Sequence, residues 1–487
     1  MLLTLVLLPR IVALLGEERY GTFRVLTEWL GFSAIFTVAL GSYYAQRMAR
    51  SLDQTQENRS RELKRAVSFS FLAGISLFVL FGALLYLFAP VLFKFQSGSQ
   101  SELNWAILWG VAPLIFLIAS PVQGMFEALQ RGYQVNFVFF VQRMFILLAS
   151  WIAAQMVPSI AWQFFVLFIG VLISSSAFFG LAKKEFPAFF EGETSVLTMP
   201  SLTIAPAEIK ELARRSVPFM SIDLAGRLGM SADTLIISYL MGNSSVTLFY
   251  LAYRIPSLLS NQIYGLGNSI WAGFLEFHRL GHREETNKLF VLISKITICM
   301  ASLAAILIGL FNGPATQLWL GDMSVKNTLF HMLIGINIIP ISLVSLWGWL
   351  ATALSHEQRF ARISIEAAII NILSGIALTM KFGLIGPALG SAIGYGLFKV
   401  VRLYGTMHDL VGLSKRQLLQ LFLLPTVSVL IFFAGGWEVR STLSDTMTWW
   451  QLIASASVVT VLFMIVPLLY FSSDEKVRMK KLFARWT

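Results

Sequence analysis

The chain is poor in the side chains that do chemistry. It has one cysteine, five histidines, and charged residues at only 13% of its 487 positions. A single cysteine excludes an internal disulfide, a thiolate metal cluster and CxxC redox chemistry. Cys299 lies inside an apolar run, where a small packed side chain is expected. The histidines, His278, His282, His331, His356 and His408, fall in or beside loops. Only His278 and His282 share an i,i+4 spacing, and no HExxH motif or third ligand accompanies them. There is no Walker A motif, so ATP hydrolysis by the chain itself is excluded. The expectation is no metal, no cofactor, no catalytic residue and no enzyme.

So little charge also excludes a soluble fold of this length, which would need far more polar residues to cover its surface. What the chain has instead is apolar residues, 56% of the total, gathered into long runs. A helix needs roughly 20 mostly apolar residues to cross about 30 Å of hydrocarbon. About fourteen stretches meet that description or come near it. They lie near 1–15, 23–45, 66–93, 103–129, 134–157 and 160–182, then 216–240, 246–275, 288–312, 326–354, 361–382, 384–406, 417–437 and 449–471. Their runs are too long, and alternate too little, for barrel strands. The first lacks a basic leader and a cleavage site, and reads as a short membrane helix rather than a signal peptide. The fold class is all-α integral membrane.

A net charge of +11 is the one excess of sign. It does not indicate nucleic acid, because the basic residues sit in loops that flank apolar runs. With the N-terminus inside, the cytoplasmic loops collect Arg47, Arg50, Arg61, Lys64 and Arg65, then Lys183, Lys184, Lys210, Arg214 and Arg215, then Lys415 and Arg416. The tail adds Lys476, Arg478, Lys480, Lys481 and Arg485, which places both termini in the cytoplasm. The longest polar segment, 183–215, carries Pro187, Pro200 and Pro206 and reads as a linker between two lobes. The expected organisation is an N-lobe at 1–182, this linker, a C-lobe at 216–406, and two extra spans with a basic tail at 407–487.

A repeat supports the division. An offset of 226 sets Leu14, Gly16, Phe23, Leu40 and Gly41 on Leu240, Gly242, Phe249, Leu266 and Gly267. An offset of 225 sets Ala128-Leu129 on Ala353-Leu354. Lobes of six spans each enter the membrane from the same side, which predicts parallel repeats related by pseudo-two-fold symmetry, as in many secondary transporters.

Three segments carry a resemblance. The stretch LLGEERYGTFRVLTEWLGFSAIFTVALGSYYAQRMA (14–49) resembles the first hairpin of polysaccharide-exporter flippases, in which an LG-x-x-x-YG turn precedes an apolar helix ending near LG and a basic residue. ADTLIISYLMGNSSVTLFYLAYRIPSLLSNQI (232–263) is similar to that family's D-x-LII-x-x-x-G…Y-x-x-AY-x-I segment, and KFGLIGPALGSAIGYGL (381–397) to its FGxxG-x-ALG-x-AI motif. The family is the Wzx-type O-antigen and capsule flippases, within the superfamily that also holds MATE antiporters and lipid II flippases. The resemblance implies a bacterial inner-membrane protein that moves a polyprenyl-diphosphate-linked oligosaccharide by alternating access. Its partners would be that substrate, membrane lipids and the polysaccharide polymerase machinery. A MATE-like multidrug or cation antiporter is the alternative.

A diphosphate headgroup calls for guanidinium groups, which meet phosphate oxygens in pairs. Ionisable residues at membrane depth cost roughly 2.5–3.5 kcal/mol each on insertion scales and usually face a protein interior. The expected cavity residues are Arg10, Arg24, Arg143, Arg227 and Arg254. The expected ion-coupling or charge-partner residues are Glu28, Asp223, Asp233 and Glu366. Arg24 and Glu28 are spaced i,i+4, as are Asp223 and Arg227. Plainer readings stand beside these: Arg24 snorkels to the outer interface, Arg10 pairs with Glu28, and Asp233 is a structural partner of Arg227 or Arg254. Lys399 and Arg402, near a helix end, are expected to snorkel. Gly226, Gly229, Gly386, Gly390 and Gly394 read as close helix-packing positions.

Overall fold

The computed structural model describes residues 2–33, 35–36, 56–93, 95, 98–129, 131–187, 190, 206–279, 283–354, 356–442 and 447–483. Most of the expected linker, the basic 47–55 and the repeat's Leu40-Gly41 lie outside the described residues. All regular structure among the described residues is helical. Nine described helices are long and apolar enough to span a membrane. The chain is a multi-pass membrane protein, and the count of about fourteen spans remains a reading of the sequence.

The chain forms two compact units. The first comprises 1–227 with 237–247. Its helices are α1 (Leu2–Leu15), α2 (Glu17–Gly31), α3 (Gln56–Phe93), α4 (Gln100–Val111), α5 (Ser120–Ala128), α6 (Gly132–Met156) and α7 (Ile160–Glu185), with most of α8 (Pro206–Met241) and the start of α9 (Asn243–Arg279). Between α4 and α5 the chain winds as a 3-10 helix, Ala112–Ala119. Pro113 stands at its start and Pro121 at the start of α5. Each removes a backbone donor and crowds the carbonyl four residues earlier, so the α-helix cannot run straight through. The core of this unit includes Leu63, Val122, Met125, Phe126 and Phe178.

The second unit comprises 228–236 with 248–487. It adds α10 (Arg283–Leu320), α11 (Thr328–Ala353), α12 (Glu357–Phe382), α13 (Ile385–Ser391), a π-helix (Ala392–Lys399), α14 (Val400–Val411), α15 (Lys415–Thr442), α16 (Trp449–Phe463), α17 (Ile465–Tyr470) and α18 (Ser473–Phe483). Helix α10 is the most buried candidate span, 72% within its most apolar window, against 17% for α3 and α16. It packs on α11 at Gly335, where an added Cβ would stand 2.5 Å from the Ala305 carbonyl oxygen. On α3 and α16, Leu87, Val91, Val461 and Trp450 are exposed. Water would penalise so much open apolar surface, whereas lipid does not.

Glycines hold the α12–α13 contact together. A Cβ on Gly390 would stand 2.7 Å from the Gly375 Cα, and one on Gly394 would stand 2.8 Å from the Ala367 carbonyl oxygen. The GxxxG spacing thus lets two backbones meet, as the sequence predicts. Gly386 is as tightly placed, 2.2 Å from the Thr379 nitrogen, while Gly226 meets nothing within 4 Å.

Candidate functional site

In the first unit, α2 begins just after Gly16, whose φ of 83° is open to glycine without strain. Glu17 and Glu18 occupy its first turn, where negative charge favours the helix dipole. One turn further the helix carries Arg24, whose Nη2 donates to Glu28 Oε1 at 2.5 Å. On α8, Arg227 Nε donates to Asp223 Oδ2 at 2.9 Å. The two i,i+4 pairs are brought together through Gly31. That glycine, at the end of α2, leaves room for Arg227, whose Nη1 would lie 3.3 Å from a Cβ there. All four side chains are partly exposed, 19–32%. Each carboxylate holds its arginine in one pose, and a guanidinium group meets phosphate oxygens through paired N–H groups.

Two predicted arginines stand apart from this group. Arg10 on α1 and Arg143 on α6 are exposed, and neither pairs with a described residue. The expected Arg10–Glu28 pair does not form, because Arg24 lies one turn from Glu28 on the same helix and takes it.

Sequence reasoning missed Asn243. It lies just past Gly242, whose φ is 90°, and its side chain knits residues 237–247 into the first unit. Its Nδ2 donates to Thr22 Oγ1 at 2.8 Å and to the Phe93 carbonyl at 2.5 Å, and its Oδ1 accepts from Ser238 Oγ at 2.7 Å. Thr247 Oγ1 donates to the Glu17 carbonyl at 2.6 Å. Gly16 and Gly242, equated by the repeat, share a positive φ, 83° and 90°, which glycine adopts without strain.

In the second unit Asp233 pairs with neither Arg227 nor Arg254. Its Oδ2 accepts from Ser391 Oγ at 3.5 Å, and its Oδ1 is buried with no hydrogen-bond partner. Ser391 also donates to Asn371 Oδ1 at 3.3 Å, and Asn371 Nδ2 reaches the Gly229 carbonyl at 3.4 Å. The Tyr253 and Tyr395 hydroxyl groups lie within the field of the carboxylate. A buried carboxylate with one hydroxyl partner suits a proton or a small cation. Arg254, on α9, donates from Nη1 to Tyr250 Oη at 3.4 Å, and its Nε is buried without a partner. Glu366 is held elsewhere, by Arg362 at 3.0 Å and Arg402 at 3.2 Å.

Two sequence readings change. Lys399 does not snorkel: it is 6% exposed and stands over the Phe360 and Tyr395 rings. Histidine 331, His331, is not a loop residue; it sits fully buried on α11, between Asn312 at 2.9 Å and the Val325 carbonyl at 2.7 Å. Lys295, deep in α10, is bound by Glu475 of α18 at 2.9 Å and covered by the Tyr470 ring.

Residues 1–271, more than half the chain, match the family model for polysaccharide biosynthesis proteins. The chain belongs to that family. No curated protein matches it in sequence. The fold of this polysaccharide biosynthesis family member is shared with solved transporters of the MOP superfamily. An inward-facing multidrug resistance MATE transporter is similar at a TM-score of 0.69, with 13% identity over 84% of this chain and 95% of that one. The lipid II flippase MurJ, in an inward closed conformation, is similar at 0.68, with 14% identity over 99% and 97%. An outward-facing MATE transporter follows at 0.59, with 14% identity over 85% and 92%.

Proposed function

We propose that this polysaccharide biosynthesis family member is a flippase. It carries a polyprenyl-diphosphate-linked oligosaccharide, a repeat unit of O-antigen, capsule or exopolysaccharide, across the bacterial inner membrane by alternating access. Two six-span lobes at 1–182 and 216–406, joined by 183–215 and followed by 407–487, do the moving, with both termini in the cytoplasm. The glycan then passes to a polymerase on the outer face. Arg24 and Arg227 are the headgroup anchors, with Arg10, Arg143 and Arg254 lining the route, and Asp233 is the coupling carboxylate. The carrying observation is the α2–α8 pair of arginines, each posed by a carboxylate one turn away. Two such guanidinium groups suit two phosphates. The family match supports the same substrate class.

The antiporter reading is favoured by a different observation, the unpaired Asp233 oxygen, since a cation exporter needs carboxylates. Deletion of the gene separates the two. The flippase reading expects lost surface glycan and polyprenyl-diphosphate glycan accumulating on the cytoplasmic leaflet. Complementation with Arg227→Ala should restore less than a tenth of the surface glycan, because one charge-assisted phosphate contact is worth roughly 1.5–3 kcal/mol. Arg227→Lys should restore an intermediate amount. Normal glycan with new drug sensitivity would transfer the chain to the antiporters.

A further inference from the structure

Pro340 lies inside α11. Proline has no N–H, so the carbonyl four residues earlier, that of Ile336, loses its helical donor. The next residue, Asn337, is 6% exposed and spends its amide nitrogen on another helix. Its Nδ2 donates to the Ala388 carbonyl of α13 at 2.7 Å. A carbonyl can only accept, which fixes which way round the amide lies. The Asn337 Oδ1 is thereby left buried with no hydrogen-bond partner. A buried acceptor without a donor is uncommon in a folded protein and calls for a reason.

Ile336, Asn337 and Pro340 line a cavity of about 380 Å³, together with Leu378 of α12 and Ile393 and Leu397 of the π-helix. That volume is in the range of small-molecule sites. Asn337 is the one polar side chain in the lining. A water does not resolve its stranded oxygen, because a buried water needs two to four polar partners. Ile393 and Leu397 are 37% and 67% exposed, so whatever enters passes apolar side chains. The π-helix also contributes Gly396, where an added Cβ would meet the Pro340 ring at 3.6 Å, an ordinary contact. No backbone crowding demands glycine there, and its missing side chain leaves the cavity open.

A lining that is apolar except for one acceptor is the complement of a molecule that is apolar except for one donor. We propose that this cavity binds a membrane-dissolved alcohol or phenol, its apolar body against Leu378, Ile393 and Leu397 and its O–H donated to Asn337 Oδ1. A carboxylate or phosphate brings acceptors to an acceptor, and an ammonium finds no counter-ion in the lining, so charged ligands do not suit it. The lining lies wholly within the second unit, and the inference does not depend on what the chain transports. An occupant touches α11, α12 and the π-helix at once, so its binding stabilises their packing.

The test uses the purified full-length chain in phosphatidylcholine nanodiscs and radiolabelled para-hexylphenol, with binding counted above that of protein-free nanodiscs. The competitor is para-hexylanisole, the same molecule with its O–H methylated. The parent should bind the phenol saturably, and the ether should compete about tenfold less well, the worth of one hydrogen bond to a buried acceptor. Asn337→Leu should fold, because the Ala388 carbonyl keeps the Ala392 N–H, and should bind phenol and ether alike. Gly396→Leu, which puts a side chain into the cavity, should abolish binding of both. Gly396→Ala has room for its methyl, should fold as the parent does and should weaken both, so it carries the cavity test if the leucine variant does not fold. No saturable binding, equal affinity of the parent for phenol and ether, or undiminished binding to the Gly396 variants would overturn the proposal. So would a preference for the phenol that survives Asn337→Leu.

Discussion

Asn243→Ala tests the account of the first unit at its most connected side chain. Asn243 is 4% exposed, and its three partners are equally hidden or lie at a helix end: Thr22 at 0%, Ser238 at 3%, and the carbonyl of Phe93, the last residue of α3. The losses are unequal. Thr22 retains its bond to the Glu18 carbonyl, and Ser238 can turn its hydroxyl onto its own helix backbone. The Phe93 carbonyl, one of the helix-end groups with no intrahelical donor, has no such recourse. A net hydrogen bond is worth about 1 kcal/mol, and a buried group left unsatisfied costs about 1–3 kcal/mol. The expected destabilisation is therefore about 2–4 kcal/mol, read by tryptophan-fluorescence unfolding in mild detergent. Asn243→Asp should be worse, because it keeps the acceptor for Ser238 but turns a carboxylate oxygen onto the Phe93 carbonyl. An Asn243→Ala protein within about 0.5 kcal/mol of the parent, the range of an ordinary surface change, would refute the reasoning.

Other outcomes follow from single contacts. Gly394→Ala places a methyl 2.8 Å from the Ala367 carbonyl oxygen and 2.9 Å from the Asn371 nitrogen, backbone atoms that cannot step aside, and should cost about 2–3 kcal/mol. Gly226→Ala meets nothing and should be neutral or stabilising by up to about 1 kcal/mol in the same unfolding measurement. Glu475→Gln keeps the cap with Ser472 but strips Lys295 of its carboxylate. It should destabilise by about 2 kcal/mol, and the Lys295→Met/Glu475→Leu double variant should recover most of that loss. A double variant as unstable as the single one would mean that the ion pair is not what holds α18 to α10.

The membrane class was legible because hydropathy needs no tertiary knowledge: a run such as 66–93 is apolar whatever it packs against. Backbone geometry was legible where glycine alone permits it. Gly16 and Gly242 announced matching turns, and Gly390 and Gly394 announced a close helix contact. The i,i+4 charge pairs were legible too, since the partners lie one turn apart on one helix. Partners distant in sequence left no trace. Nothing near Asn243 points to Thr22 or Phe93, and nothing near Lys295 points to Glu475. The burial of Lys399 was not legible either, because the rings that cover it, Phe360 and Tyr395, come partly from another helix.

The central claim is transport of a lipid-linked glycan, and reconstitution tests it most directly. The purified chain would be placed in proteoliposomes with a short-chain polyprenyl-diphosphate oligosaccharide labelled on the sugar, and transfer between leaflets read by a membrane-impermeant quencher. The account predicts leaflet exchange that depends on the protein and falls at least tenfold with Arg227→Ala. No exchange with any diphosphate-linked glycan, in vesicles where the same protein expels an organic cation, would contradict it.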